Sequence, residues 1–253
     1  VASKDSNIGF KRARELREEL GMEADEPISC LLTTVEEDLG IPVVVADLPQ
    51  DVAGTCWQGE DGRVVVWVNG RDYVPRRRFT LAHELGHMRC GHDAGTPVDT
   101  IETMGGHTTN PHEIQANAFA AEFLAPAAGV REMAGDDPTL EHVVQIAARY
   151  GISAISALYR LNQLELTDRV DQLKQEIEED LHQKLAAHLG LDLERDGDLL
   201  SAIDEESLPR LSPALQDSAL AAVIEGRASV DDAAAMAGCD PDRISEAALM
   251  IGI

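Results

Sequence analysis

The heptapeptide Leu81-Ala82-His83-Glu84-Leu85-Gly86-His87 constrains this chain more than any other stretch. Histidines four residues apart lie one above the other on a helix, so His83 and His87 can address one point. Glu84 projects beside that pair, where it can act on a water without ligating a metal. Two neutral imidazoles with an adjacent carboxylate base are the working parts of a zinc-peptidase helix. The pattern His-Glu-x-x-His also arises by chance, so the setting matters. From Pro75 onward, Phe79, Leu81, Ala82, Leu85 and Met88 share one broad apolar face, which predicts an amphipathic helix. A short β-rich stretch precedes it and a long loop, DAGTPVDTIETMGGHTTNP, follows it.

A zinc ion, Zn2+, needs a third protein ligand and an open position for water. A downstream histidine in the pattern His-Glu-x-x-His-x-x-Gly-x-x-His fails here. The required glycine and histidine fall on Cys90 and Asp93, and His92 is one place out of register. The other arrangement takes a glutamate from a separate helix. Asn110-Pro111 caps such a helix, HEIQANAFAAEFLA, which Pro126 stops. It offers Glu113, with Asn117 one turn on; Glu122 is out of line with that pair. The expected site is therefore His83, His87 and Glu113 as metal ligands with Glu84 as general base. His107, His112 and Tyr150 are candidates for stabilising an oxyanion, each with an ordinary surface or core role as the alternative. Asn117 either orients a ligand or packs between helices.

At this point a resemblance enters. HELGH followed by HEIQANAFAAEFLAP resembles the ImmA/IrrE family of metallopeptidases. The second motif of that family is similar to Glu-x-x-Ala-Asn-x-Phe-Ala-Ala-x-Leu-Leu-x-Pro. This chain supplies Glu113, Ala116, Asn117, Phe119, Ala120, Ala121, Phe123, Leu124 and Pro126. Arg78-Phe79-Thr80-Leu81-Ala82 also resembles the family's lead-in to its zinc helix. The resemblance covers roughly residues 10 to 165, and Phe123 departs from it where leucine is usual. It implies a zinc site of His83, His87 and Glu113. It also implies a partner: a helix-turn-helix repressor or antitoxin that is cleaved or antagonised, switching on stress-response or mobile-element genes. A zinc metalloendopeptidase cutting such a repressor is the leading expectation. The alternative is a non-proteolytic binding protein, a toxin or anti-repressor, acting by sequestration; Glu84 has no use in that role.

The fold class expected is α+β. A zincin-like metallopeptidase domain spans residues 1–164, with a small sheet ahead of the zinc helix, and an acidic, all-α region spans 165–253. Residues 8–21 and Cys30 to Leu39 read as helices, and Ile41 to Pro49 as a strand. GTCWQ and RVVVWVNG read as a hairpin around Gly59-Glu60-Asp61-Gly62. From Glu165, Leu166, Val170, Leu173, Ile177, Leu181, Leu185 and Leu189 form one apolar stripe. That stripe either folds back on its own domain, dimerises, or grips a partner, and the region is a candidate partner-binding or regulatory module.

Composition narrows the partners. The chain carries 46 acidic and 21 basic residues, a net charge of -25. Such a surface repels phosphate backbones, which argues against direct nucleic-acid binding, and attracts a basic protein; it also serves plain solubility. IAARYGISAISALYRLNQL has the outline of a helix-turn-helix, yet its second helix carries only Arg160 among mostly apolar residues, so it reads as core. Arg76-Arg77-Arg78 reads as structural or as lining the substrate approach. No apolar run is long enough for a membrane span, the N-terminus reads as a helix start rather than a signal peptide, and the four scattered cysteines form no CxxC pair. A cytoplasmic location is expected. Cys90, near the zinc helix, is either a buried thiol or an oxidation sensor.

Overall fold

A computed structural model describes residues 3–59, 62–92, 99–100, 108–193, 203, 209–237, 241–242 and 245. Helix α1 (Lys4–Glu19) is capped by Ser3, whose side chain accepts from the Ser6 amide. A short helix α2 (Leu31–Thr33) continues as a π-helical segment, Thr34–Asp38. Strands β1 (Val43–Ala46), β2 (Val52–Gln58) and β3 (Val64–Asn69) come next, with β2 and β3 antiparallel and β1 parallel to β3. The long helix α3 (Val74–Cys90) follows, then strand β4 (Asp99–Thr100) and helix α4 (Pro111–Leu124). Helices α5 (Ala127–Ala134), α6 (Leu140–Tyr150) and α7 (Ala154–Gln163) complete this part.

Beyond residue 165 come α8 (Val170–Glu178), α9 (Leu181–Leu189), β5 (Arg210–Leu211), α10 (Pro213–Ile224) and α11 (Val230–Ala237). The five strands form one sheet in the order β4-β2-β3-β1-β5. The architecture is α+β, a small sheet followed by many helices. Among the described residues, no helix is long and apolar enough to cross a membrane.

The alternation of side chains along a strand divides the sheet's two faces. Val43, Val45, Val66 and Val68 join the main core with Leu81, Leu85, Phe119 and Phe123. Val44, Ala46, Val65 and Trp67 face the other way, where Leu211, Ala219, Ala233 and Ala234 cover them. Val43 to Ala46 are buried throughout because β1 lies between two neighbours with both faces covered, which is why its sequence is an unbroken apolar run.

The residues after 165 therefore pack on both sides of what precedes them. Leu173, Ile177 and Ala186 enter the main core, while β5, α10 and α11 close the far face of the sheet. Arg210 of β5 is ion-paired with Glu36, with Arg210 Nη2 donating to Glu36 Oε2 at 2.6 Å. The apolar stripe folds back on its own chain rather than running as one continuous helix. Asp180, at φ 57°, breaks it and turns α9 onto α6; aspartate tolerates this left-handed region better than most residues. Leu181 (37% exposed) and Leu189 (36%) are the stripe's exposed members.

Two other expectations resolve structurally. The helix-turn-helix outline is real as α6 and α7, and its apolar faces are core. Of the arginine run, Arg77 and Arg78 are buried and hold backbone carbonyls: Arg77 donates to Asp72, Gly70 and Ile203, and Arg78 to Ile28 at 2.7 Å. Arg76 pairs with Asp72 at 3.1 Å. The run bolts the start of α3 in place.

Candidate metal centre

Helices α3 and α4 cross closely because Gly86 has no side chain. A Cβ there would lie 2.9 Å from Ala116 Cα and 3.1 Å from Phe119 Cβ. That approach brings the first turn of α4 against the middle of α3. Asn110 caps α4 by accepting from the His112 amide at 3.0 Å, and Pro111 opens the first turn. Glu113 sits in that first turn, near the positive end of the helix dipole.

His83, His87 and Glu113 meet there, all buried. His83 Nε2 is 3.0 Å from His87 Nε2 and 3.3 Å from Glu113 Oε2, and His87 Nε2 is 3.5 Å from Glu113 Oε1. Bonds of about 2.0–2.1 Å to a tetrahedral metal place neighbouring ligand atoms about 3.3–3.4 Å apart. The three separations bracket that figure. Glu113 Oε2 accepts no hydrogen bond from the described residues. Burying a carboxylate against two imidazoles without a cation is unfavourable, so the donor set fits a divalent metal.

Glu84 is buried beside the pair, with β2 passing across it. Gly54 of β2 makes that passage possible: a Cβ there would lie 2.5 Å from Thr80 Cγ2, 2.7 Å from Trp67 O and 3.4 Å from Glu84 Oε1. Phe79 lies one turn before His83, their rings stacked with centroids 6.4 Å apart. Phe79 and Asn117 also line a cavity of about 430 Å3, together with Tyr73, Arg76 and Tyr159.

The other sequence candidates separate cleanly. Glu122 is buried at the far end of α4 and paired with Arg160 and Arg14, so it is committed elsewhere. Burial alone would raise its carboxyl, but the two guanidinium groups outweigh that and hold it below its ordinary value. Tyr150 donates to the Asp25 carbonyl at 3.1 Å, a structural use of its hydroxyl. His112 is exposed on α4, its ring stacked on His92 at 4.2 Å. His107 and most of the long loop lie outside the described residues, as does Cys239. Burial pushes the Cys90 thiol up to about 11 and the Cys56 thiol to about 12, so neither has thiolate character at neutral pH.

Sequence reasoning set His92 aside once it failed as a ligand, yet the structure returns it to the site. Gly91 ends α3 at φ 74°, and the His92 amide donates back to the His87 carbonyl at 3.0 Å in a Schellman-type turn. His92 Nδ1 lies 2.9 Å from His87 Nδ1, and burial pushes the His92 imidazole below its ordinary value. A glycine ending the helix, followed at once by histidine, was the signal available.

Comparison with known proteins agrees with this geometry. The IrrE N-terminal-like domain of the peptidase M78 family matches residues 36–162. The radiation response metalloprotease IrrE of Deinococcus radiodurans is 34% identical over 101 residues, 39% of this chain and 31% of that protein. Its namesake in Deinococcus deserti is 33% identical over 99 residues, 38% of this chain and 35% of that protein. An uncharacterized immunity region protein of Bacillus phage phi105 is 28% identical over 116 residues, 46% of this chain and 70% of that protein. The chain thus spans about a third of the length of the two Deinococcus proteins. The matched half of the sequence holds both helices of the buried His83–His87–Glu113 cluster, and the chain belongs to the peptidase M78 family, sharing its IrrE N-terminal-like domain.

Proposed function

We propose that this chain is a zinc-dependent endopeptidase in which His83, His87 and Glu113 hold the metal and Glu84 is the general base. The observation that carries the reading is the meeting of three buried ligand atoms, from two helices, at the spacing of a tetrahedral site. Zinc, when bound, supplies Lewis acidity and lowers the pKa of a water from about 15.7 toward about 7. Glu84, next to His83 on α3, takes the proton from the attacking water and returns it to the leaving amine. Phe79 braces the His83 ring. Family membership and the name of the Deinococcus relatives, radiation response metalloprotease, support proteolysis.

The substrate in this reading is a cytoplasmic helix-turn-helix repressor or antitoxin, cut to switch on transcription. A net charge of -25 suits a basic, DNA-binding partner through electrostatic steering. The immunity-region name of the phage relative fits regulation of that kind. Co-expression with a helix-turn-helix protein encoded beside this one, followed by mass analysis, should give two defined fragments. Glu84→Gln keeps size and hydrogen bonding but removes the base, so it should retain zinc and partner while cleavage falls by about 10²–10⁴-fold. If Glu84→Gln still releases the repressor's target genes, the protein works by sequestration instead.

A further inference from the structure

The proposed ligand His87 uses one ring nitrogen toward Glu113 and His83, and its other nitrogen leads into a continuous hydrogen-bonded chain. His87 Nδ1 lies 2.9 Å from His92 Nδ1, His92 Nε2 lies 3.1 Å from Gln115 Oε1, and Gln115 Nε2 donates to Asp5 Oδ1 at 3.1 Å. We propose that Asp5, Gln115 and His92 are positioning residues that lock His87 in the tautomer carrying its proton on Nδ1, leaving the Nε2 lone pair aimed at the metal position. The inference rests on the reading of His87 as a metal ligand.

The direction of every bond follows from chemistry rather than from assigned hydrogens. The Asp5 carboxylate only accepts, so the Gln115 nitrogen must face it and the Gln115 oxygen must face His92. That oxygen also only accepts, so His92 Nε2 carries the proton. A neutral imidazole has one N–H, so His92 Nδ1 is an acceptor and His87 Nδ1 must donate to it. His87 Nε2 is then a bare lone pair, the form a metal requires. Reversing any link would set two acceptors, or two donors, face to face.

The sequence builds this chain at three points. Gly9 lets α1 lie against α4, since a Cβ there would fall 2.1 Å from the Gln115 carbonyl oxygen and 2.8 Å from the Phe119 nitrogen. Asp5, one turn earlier on α1, is thereby carried to the Gln115 side chain. Gly91 folds His92 back onto His87, and the His112 ring, stacked at 4.2 Å and 14°, fixes the plane of His92. Helix α1 lies outside residues 36–162, so the anchor of the relay comes from sequence beyond the family match.

The test is zinc affinity of the full chain, measured by competition with a chromophoric chelator. Gln115→Leu keeps the bulk and breaks both links, and should weaken zinc binding by about 10–100-fold, the usual loss when a ligand's outer partner is removed. The double variant Asp5→Asn with Gln115→Glu puts a carboxylate directly on His92 with an amide behind it, and should return affinity to within a few-fold of wild type. Wild-type zinc binding that is unchanged in Gln115→Leu overturns the relay alone. A wild-type chain that folds yet binds no zinc overturns the ligand reading, and the relay with it. Should Gln115→Leu not fold, nitrogen-15 NMR of the metal-free wild type still decides: His87 protonated at Nδ1 supports the relay, and His87 protonated at Nε2 overturns it.

Discussion

Helix α4 buries two glutamates nine residues apart, Glu113 and Glu122, each 3% exposed. Their surroundings differ in kind. Glu122 faces Arg160, which donates to its Oε2, and Arg14, which donates to its Oε1 at 2.9 Å. Both partners are permanent cations, so that carboxylate is neutralised by the chain itself. Glu113 faces two imidazoles that are neutral when they act as ligands. In the proposed reading its compensation comes from a bound metal, so the first-turn carboxylate reads as a binding group and the last-turn carboxylate as a strut. Burial of a charge marks both ends of α4; the chemistry of the neighbours tells them apart.

The largest break in this comparison should come from Arg160→Met. It leaves the buried Glu122 carboxylate with the half-exposed Arg14 as its remaining cation, and should lower unfolding free energy by up to about 3–5 kcal/mol in urea titration while the zinc content of the folded fraction stays at one per chain. Loss of zinc in that variant would mean the two ends of α4 are not independent.

Glu113→Gln should do the reverse. Zinc affinity should fall by at least about 100-fold, beyond the loss expected for an outer hydrogen-bond partner, while the metal-free chain unfolds at the wild-type urea concentration or above it. Retained affinity would remove Glu113 from the ligand set.

A smaller effect is expected at the helix crossing that separates the two ends. Gly86→Ala forces a Cβ against Ala116 and should destabilise by about 1–3 kcal/mol. Because the crossing also sets the distance from Glu113 to His83 and His87, zinc binding should weaken alongside. Stability lost with zinc affinity intact would show that α4 can shift without disturbing the cluster.

The smallest signal is in the acid range. Glu122 is held below its ordinary value of 4.5 in the folded chain. Its contribution is therefore fully present above that value and is lost as pH falls through the lower folded value. In Arg160→Met, the same carboxyl loses that support. The stability gap between wild type and Arg160→Met should then narrow as pH drops, read from urea midpoints. A gap that is constant with pH would mean Arg160 stabilises through its bond to the Ala125 carbonyl rather than through Glu122.

Local signals were legible wherever one stretch of chain carries its own constraint. The Asn110-Pro111 cap and the Pro126 stop bound α4 at Pro111–Leu124. The β-branched run at Val43 became β1, and the two runs after it paired as β2 and β3. The stripe after Glu165 was visible, but its break was not. Asp180 carries the left-handed turn without the glycine that normally announces one, and the position of α9 is set by packing on α6.

By itself the sequence determined that His83 and His87 share one helix face, that Glu84 accompanies them, and that Glu113 opens a second capped helix. Helical periodicity and capping are properties of a few neighbouring residues, so they survive translation from letters to chemistry. Only the tertiary structure decided that Glu122, set aside as a ligand, is buried as well and is paired with Arg160 and Arg14. It also decided that β5, α10 and α11 close the sheet's far face, and that Asp5 reaches Gln115 across 110 residues of chain. The contacts of α4 with α1 and α3 depend on close approaches at Gly9 and Gly86, where what matters is the absence of a side chain opposite a partner far away in sequence.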